Sequence, residues 1–285
     1  MKKLYAELTT KCNLRCPHCN IRNEDDHFNH DEFMKQLREF DGNIILFGGE
    51  PTLYPDRLFE VYGDPNIKKK VKSISTNLRF ITPEIVKVLE EIKYIGTSWN
   101  PHRFTNLDYK IWLANLDNLA AKNVSIVVMI TLTGDLFEMN RDEFLNMVRG
   151  WNPEAIDAIR FEYLVADGLN KDYYEAADEW QSYIYSHWQS KIPMDVSNID
   201  HWYFDCSEVY TLYPNGELVH GCPNHKRIFL PQECYDCERN GICKPCILQQ
   251  GCSFPKKLAK LVEEKRNQDE ELRRSPNVPY GGWNC

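Results

Sequence analysis

The chain has 285 residues, 42% of them hydrophobic, which is enough to bury the core of one large domain or of one domain with a smaller partner. Its formal net charge of −8 gives no electrostatic reason to expect the phosphate backbone of bulk nucleic acid as a partner. No apolar run approaches the roughly 20 residues that a membrane span needs, so no membrane partner is expected either.

Short apolar runs alternate with amphipathic helical patterns over the first two thirds of the chain. Thr82 followed by Pro83 is typical of a helix start. Strands that alternate with helices form parallel βαβ units. Six such units predict an α/β fold with a partial (β/α)6 TIM-like barrel, whose chemistry lies at the carboxyl ends of its strands. The predicted strands are 4–8, 43–47, 71–75, 94–99, 125–130 and 158–163, and helical spacing covers 33–40, 85–92, about 107–122, about 141–149 and 172–190.

Near residue 200 the helical periodicity gives way to a sequence rich in cysteines and turn residues. The run TLYPNGELVHGC (211–222) predicts a β-hairpin, because apolar strands flank a Pro-Asn-Gly turn. Residues 256–272 predict a mostly solvated helix. We therefore expect two units, a barrel over 1–195 and a small cysteine-rich domain with a hairpin and a C-terminal helix over 196–285.

The eleven cysteines follow the same division, with three at positions 12, 16 and 19 and eight from Cys206 to the end. The start, MKKLYAELTT, lacks the long apolar core of a secretory signal. A cytoplasmic location is therefore expected, and in that compartment clustered cysteines bind metal or do chemistry more often than they form disulfides.

The stretch KCNLRCPHCN (11–20) carries the first cysteine group directly after the first predicted strand. A structural zinc site needs four ligands, and here the fourth would be His18, His27, His30 or a distant cysteine. Three ligands alone leave one coordination position open, as a catalytic centre requires. The residues by themselves leave both interpretations open.

Cys12-x3-Cys16-x2-Cys19 resembles the defining motif of the radical S-adenosylmethionine (SAM) superfamily. The resemblance implies that the three cysteines hold a 4Fe-4S cluster whose fourth iron is chelated by SAM. It also implies that FGGEPTL (47–53) approaches the SAM amino group, where glycines permit close backbone approach and a carboxylate can pair with an ammonium. The cofactor-binding residues expected from the resemblance are Gly48, Gly49, Glu50, Pro51, Ser75, Thr76 and Asn77. Ser98, Asn100 and Thr131 are added by their position at the ends of the fourth and fifth strands, where capping of the strand is the alternative role.

The resemblance also implies the reaction. A reduced cluster, supplied by an electron donor such as flavodoxin or ferredoxin, would cleave SAM to methionine and a 5′-deoxyadenosyl radical, which abstracts a hydrogen atom from the substrate. Other groups for acid–base chemistry are weakly indicated by the sequence, the candidates being Asp205, His225 and Glu162.

The C-terminal cysteines permit two interpretations. Their two CxxC pairs could build a zinc knuckle, but their order resembles the SPASM extension of some radical SAM enzymes, which carries two auxiliary 4Fe-4S clusters. Two intervals differ by one residue from the SPASM pattern. The resemblance assigns Cys206, Cys222 and Cys246 to the nearer cluster and Cys234, Cys237, Cys243 and Cys252 to the farther one. The nearer cluster then has an open iron or takes a fourth ligand from His201, His220, His225 or Cys285.

Enzymes with this extension often modify ribosomal peptides, so oxidative modification of a peptide or protein side chain is the leading hypothesis. The early position of Cys12 weighs against it, because no leader-binding domain is then expected before the barrel, and a separate protein would have to supply that function. The alternative is dehydrogenation, decarboxylation or rearrangement of a small molecule such as a sugar, amino acid, nucleotide or modified base. A non-enzymatic zinc or cluster scaffold is the third hypothesis.

Overall fold

The computed structural model describes residues 2–17, 19, 21, 27–163, 171–195 and 208–221. Its strands are β1 (Lys3–Glu7), β2 (Asn43–Phe47), β3 (Val71–Ser75), β4 (Tyr94–Ser98), β5 (Ser125–Leu132), β6 (Ala158–Tyr163), β7 (Met194–Asp195), β8 (Val209–Leu212) and β9 (Leu218–His220). Its helices are α1 (His30–Glu39), α2 (Pro55–Gly63), α3 (Pro65–Lys68), α4 (Pro83–Ile92), α5 (Asn106–Ala120), α6 (Gly134–Glu138), α7 (Arg141–Arg149) and α8 (Lys171–Ser186).

The described strands form one sheet in the order β7-β6-β5-β4-β3-β2-β1-β8-β9, parallel throughout except for β9. Consecutive strands from β1 to β6 are neighbours, and helices connect them, as in an open, partial TIM-like arrangement. The central strands are buried on both faces, with Ile44, Ile45 and Leu46 of β2 at 2% exposure or less. The α/β class predicted from the sequence is confirmed.

All six predicted strands are present with ends within two residues of the prediction. The helix starts follow from local chemistry: the Thr82 side chain accepts a hydrogen bond from the amide of Ile85, and Thr105 and Asp108 form a reciprocal capping box at α5. The sequence prediction missed α2, α3 and α6. Pro55 and Pro65 look like helix breakers, but each occupies a first-turn position, where a proline has no amide to satisfy.

The predicted hairpin is confirmed, and it joins the main sheet. β8 runs parallel to β1, with Lys3 opposite Val209 and Ala6 opposite Leu212, and β9 returns antiparallel to β8. The turn reaches α1: the amide of Asn29 donates to the carbonyl of Pro214 at 2.9 Å. The domain boundary predicted at 195/196 stays a prediction, and the described hairpin beyond it extends the sheet of the barrel.

No helix in the described part of the chain is long and apolar enough to cross a membrane.

Lys70 provides a test of how the start of β3 is attached to α1. Its Nζ donates to the carbonyls of Leu37, Arg38 and Phe40 at 3.2, 2.6 and 2.7 Å, at the C-terminal end of α1, where a cation is favoured. We expect Lys70→Met to lower the free energy of unfolding by about 1–2 kcal/mol, measured by urea titration. Lys69→Met, at the exposed neighbouring lysine, is the matched control, and an equal loss in both variants would contradict the prediction.

Candidate functional site

The carboxyl ends of the first four strands carry the segments on which most predicted site residues lie. Residues 8–17 follow β1, residues 48–53 follow β2, residues 76–79 follow β3 and residues 99–103 follow β4. Neighbouring parallel strands end at the same edge of a sheet, so these four segments are adjacent there. Their mutual contacts define the site.

The three cysteines of the first group, Cys12, Cys16 and Cys19, lie on the loop after β1. Cys12 and Cys16 are half-buried and Cys19 is exposed. The amide of Leu14 donates to Cys12 Sγ at 3.3 Å, and the amide of Cys19 donates to the carbonyl of Cys16 at 3.1 Å. Burial raises the pKa of the Cys12 thiol, whereas iron binding acts in the opposite direction because a coordinating thiol is deprotonated.

The histidines considered as a fourth zinc ligand are placed in different ways. The two ring nitrogens of His30 contact the carboxylates of Asp31 and Glu60. The hydrogen bond with Asp31, and after it the one with Glu60, raises the pKa of His30. His27 is exposed, and His18 lies outside the described residues. Within the described ranges, no group of three or more His, Cys, Asp or Glu side chains could hold a single metal ion.

The two glycines after β2 permit a close approach to the cysteine loop. The amide of Gly49 donates to the carbonyl of Thr9 at 2.7 Å, and the amide of Glu50 donates to the carbonyl of Lys11 at 2.8 Å. A Cβ on Gly49 would lie 2.2 Å from the Lys11 oxygen, and one on Gly48, whose φ is +150°, would lie 2.5 Å from the Thr9 oxygen. Glycine is therefore required at both positions by contact with the chain's own backbone.

Glu50 is fully buried, at 0% exposure, and its carboxylate is engaged by neighbouring groups. One oxygen accepts hydrogen bonds from the amide and hydroxyl of Thr52, at 3.1 and 2.7 Å, and from the hydroxyl of Thr76 at 2.7 Å. The other accepts from the amide of Asn77 at 2.6 Å. Glu50 thus joins the segment after β2 to the segment after β3.

Asn77 continues this network to the cysteine loop. Its Nδ2 donates to the Oδ1 of Asn13 at 2.7 Å and lies 4.0 Å from Cys12 Sγ. Its Oδ1 accepts from the amide of Arg79 at 3.0 Å. The guanidinium of Arg79 donates to the carbonyl of Asn13 at 3.4 Å and pairs with Asp108 of α5. The segment after β2, the segment after β3 and helix α5 are therefore all connected to Asn13, the residue that follows Cys12.

Asp108 anchors the far end of this network. Burial raises the pKa of its carboxyl, but hydrogen bonds from Thr105 and Arg79 outweigh burial and hold the pKa below its ordinary value. Asp108 is therefore a stable anion beside Arg79.

The other predicted site residues are distributed as follows. The Asn100 side chain links β4 to β5: its Nδ2 donates to the carbonyl of Thr131 at 2.6 Å and to the hydroxyl of Thr133 at 3.3 Å. Ser75, Ser98 and Thr131 are half-buried, and Pro51 is buried. Glu162 lies on β6 in register with Thr131. Asp205, His225, His201, Cys285 and the auxiliary-cluster cysteines Cys206, Cys222, Cys234, Cys237, Cys243, Cys246 and Cys252 are outside the described residues.

Arg57 of α2 holds both ends of the cysteine loop, a role that no sequence signal indicated. Its Nη1 donates to the carbonyl of Leu8, at the start of the loop, at 2.9 Å. Its guanidinium carbon lies 3.8 Å from the ring centroid of Phe28, after the loop, and 4.5 Å from that of Tyr54. A planar cation suits both a carbonyl and two aromatic faces.

We expect Arg57→Met to loosen the cysteine loop. The variant loses the hydrogen bond to Leu8 and the stacking on Phe28, so the free energy of unfolding should fall by about 1–2 kcal/mol. Amide hydrogen exchange over residues 9–17 should become faster, as measured by mass spectrometry on the metal-free protein. Arg149→Met, at an exposed helix end, is the control. Unchanged exchange in the loop of Arg57→Met would show that Arg57 does not hold it.

The residues present fit an iron–sulfur cluster by their donor chemistry. Thiolates are the usual ligands of such clusters, and a cluster binds each thiolate through its own iron, so the sulfurs need not converge on one point. Three thiols on one loop, one of them already accepting an amide hydrogen bond, match three irons and leave a fourth iron for another ligand.

Residues 6–149 match the Radical SAM superfamily. The chain therefore belongs to this superfamily, and membership implies SAM and a 4Fe-4S cluster as cofactors and an enzymatic activity.

Three curated relatives are similar over parts of their length. The chain is 35% identical over 101 residues to the tungsten-containing aldehyde ferredoxin oxidoreductase cofactor-modifying protein of Pyrococcus furiosus, covering 32% of this chain and 28% of that protein. It is 35% identical over 109 residues to the Fe-coproporphyrin III synthase of Methanosarcina barkeri, covering 35% of this chain and 27% of that protein. It is 28% identical over 189 residues to the pre-heme d1 synthase of Dinoroseobacter shibae, covering 60% of this chain and 46% of that protein. The matched segments thus span less than half of each relative.

Among solved structures, Streptococcus suis SuiB bound to S-adenosylmethionine superposes with a TM-score of 0.58 at 15% identity, covering 85% of this chain and 71% of that chain. SuiB bound to the precursor peptide SuiA gives the same TM-score, with 70% of that chain covered. This likeness establishes the fold of the sheet and its helices.

Proposed function

We propose that the chain is a radical SAM enzyme for oxidative modification of a peptide or protein side chain, with its catalytic cluster held by Cys12, Cys16 and Cys19. The observation that carries the proposal is the position of these thiols. They lie on the loop after β1, which is joined by hydrogen bonds to the Gly-Gly-Glu segment after β2 and to Asn77 after β3. Bound there, the reduced cluster and SAM supply a 5′-deoxyadenosyl radical that abstracts a hydrogen atom from the substrate.

The residues of the chain have separate roles in this proposal. The thiolates of the cysteine loop bind iron, and the amide of Leu14 stabilises the charge on Cys12 Sγ. The hydrogen bond between Glu50 and Thr76 holds the Gly-Gly-Glu segment beside the segment that follows β3. The half-buried backbone of Gly48 and Gly49 therefore lies at the carboxyl ends of the strands. The polar residues Ser75, Ser98, Asn100 and Thr131 line the ends of the next strands and would contact SAM or substrate.

Two auxiliary 4Fe-4S clusters of the SPASM type belong to the proposal. Cys206, Cys222 and Cys246 would bind the nearer cluster, and Cys234, Cys237, Cys243 and Cys252 the farther one. The hairpin supports the proposal, since the described turn at Gly216 lies between Cys206 and Cys222, where the SPASM pattern has a glycine. An auxiliary cluster suits oxidative chemistry because it can accept the electron left on a substrate radical.

A small-molecule substrate is the second candidate. The observation in its favour is that the three curated relatives are named for a tungsten-enzyme cofactor, an iron coproporphyrin and a haem d1 precursor, whereas the peptide-binding neighbour, SuiB, shares only 15% identity. In this alternative the same radical would act on a tetrapyrrole or another small cofactor precursor, by decarboxylation or dehydrogenation.

One anaerobic experiment tests both candidates. The protein is reconstituted with iron and sulfide, reduced with dithionite or with a flavodoxin or ferredoxin system, and given SAM with either a peptide library or a set of tetrapyrroles. The peptide proposal predicts substrate-dependent 5′-deoxyadenosine and a peptide that has lost hydrogen, with about twelve irons bound per chain for three clusters. Product from the tetrapyrroles alone would favour the second candidate. A colourless zinc protein that never cleaves SAM would reject both and favour a scaffold.

A further inference from the structure

The polar network beside Cys12 reaches the cluster loop through the side chains of Asn77 and Arg79, and Asn77 is the one that also faces Cys12 Sγ. Asn77 is 4% exposed, and its backbone amide and both polar atoms of its side chain have partners within the protein. Its backbone amide donates to Glu50, its Oδ1 accepts from the amide of Arg79, and its Nδ2 donates to Asn13 and faces Cys12 Sγ. The side-chain amide nitrogen of Asn77 is therefore already bound to the cysteine loop, although its position after β3 also suits a contact with SAM.

We propose that Asn77 is a positioning residue for the cluster: by holding Asn13 and directing an N–H group at Cys12 Sγ, it sets the reduction potential of the iron–sulfur centre. The inference rests on the proposed binding of the cluster by Cys12, Cys16 and Cys19. It differs from a role in binding SAM, because the partners of the Asn77 side-chain amide are Asn13 and Cys12 of the cysteine loop itself.

The physical reason lies in the charge of the sulfur. Reduction adds an electron to the cluster, so the negative charge on its thiolates increases, and an N–H group that faces a thiolate stabilises the reduced state more than the oxidised one. Among the described residues, the amide of Leu14 at 3.3 Å and the Nδ2 of Asn77 at 4.0 Å face Cys12 Sγ in this way. Loss of the second donor should lower the potential and make the cluster harder to reduce.

Asn13 explains why the Asn77 amide is correctly oriented. Asn13 is an exposed residue of the loop, but its Oδ1 accepts from Asn77 at 2.7 Å and its carbonyl accepts from Arg79 at 3.4 Å. Arg79 is fixed in turn by Asp108 at the start of α5. Two points of contact on one residue restrict the backbone immediately after Cys12, so that the N–H···S geometry is held by the fold.

The test uses Asn77→Ala, Asn13→Ala and the double variant, each reconstituted and compared with Asn118→Ala, at an exposed site on α5. The midpoint potential of the cluster is measured by EPR-monitored titration without SAM. Asn77→Ala should shift the equilibrium constant for reduction about tenfold toward the oxidised form, which for one electron is about 59 mV. Asn13→Ala should shift it in the same direction, and the double variant should do little more than Asn77→Ala alone, because both act through one contact.

A second measurement uses the metal-free proteins. Amide exchange over residues 12–14 should become faster in Asn77→Ala and Asn13→Ala and stay unchanged in Asn118→Ala. A weakened affinity for SAM with an unchanged SAM-free potential and unchanged exchange would overturn the inference and make Asn77 a contact for SAM. If the wild-type chain binds no iron at these cysteines, the proposed function fails first, and the two failures are thereby distinguished.

Discussion

Replacement of Cys16 by serine is expected to abolish reductive cleavage of SAM. A serine hydroxyl is not a thiolate, so the cluster would lose one of three ligands and with it the site to which SAM binds. Changes to groups that only support a metal ligand cost about 10–100-fold in affinity or activity. Loss of a ligand should exceed that range and reduce 5′-deoxyadenosine formation to the level of the uncatalysed control.

The measurements for Cys16→Ser are the iron bound by the N-terminal site and the yield of 5′-deoxyadenosine under anaerobic reduction. Cys16 is only half-buried, so the metal-free variant should unfold at the same urea concentration as the wild type. Asn118→Ala again serves as the surface control. A Cys16→Ser protein that still cleaves SAM would show that the catalytic cluster is not held by this cysteine group.

Replacement of Glu50 by glutamine is expected to have the largest effect on stability. The buried carboxylate accepts four hydrogen bonds, three of them at one oxygen. Glutamine replaces one carboxylate oxygen by an NH2 group, so even in its better orientation the buried amide of Asn77 loses its acceptor, and the other three hydrogen bonds lose the negative charge that strengthens them. We expect the free energy of unfolding to fall by about 3 kcal/mol or more.

Glu39→Gln, at the exposed end of α1, is the matched control and should change stability by less than about 0.5 kcal/mol. The measurement is urea unfolding of the metal-free proteins, followed by titration with SAM after reconstitution. If Glu50→Gln kept its stability and lost only its affinity for SAM, the carboxylate would be a ligand for the SAM amino group, as the resemblance implies. The buried network predicts instead that Glu50→Gln lowers the free energy of unfolding more than it lowers the affinity for SAM.

The strand and helix positions could be predicted because their signals are local. The apolar run NIILF predicts β2 to the residue, and Thr82-Pro83 predicts the start of α4. The neighbours of Glu50 could not be predicted in this way. Thr76 and Asn77 lie 26 and 27 residues further along the chain, and only the pairing of β2 with β3 brings them together.

The contacts that hold the cysteine loop could not be predicted from sequence patterns for a similar reason. Arg57 follows the Gly-Gly-Glu segment in a helix whose first residue, Pro55, looks like a break, so neither α2 nor its arginine could be placed. Asn13 lies inside the cysteine motif but carries no signal of its partner. The motif predicts which atoms would bind iron, whereas the residues that orient those atoms depend on the tertiary structure.

The pairing of β8 with β1 has a consequence for how the protein is made. Lys3 and Val209 are opposite each other in the sheet, so a ribosome must synthesise most of the barrel before β1 can acquire its second neighbour. Until then one edge of β1 offers unpaired amides and carbonyls, which invite pairing with other chains. The strand that leads into the cysteine loop is thus completed late, and insertion of iron before release of the nascent chain would act on an unfinished sheet.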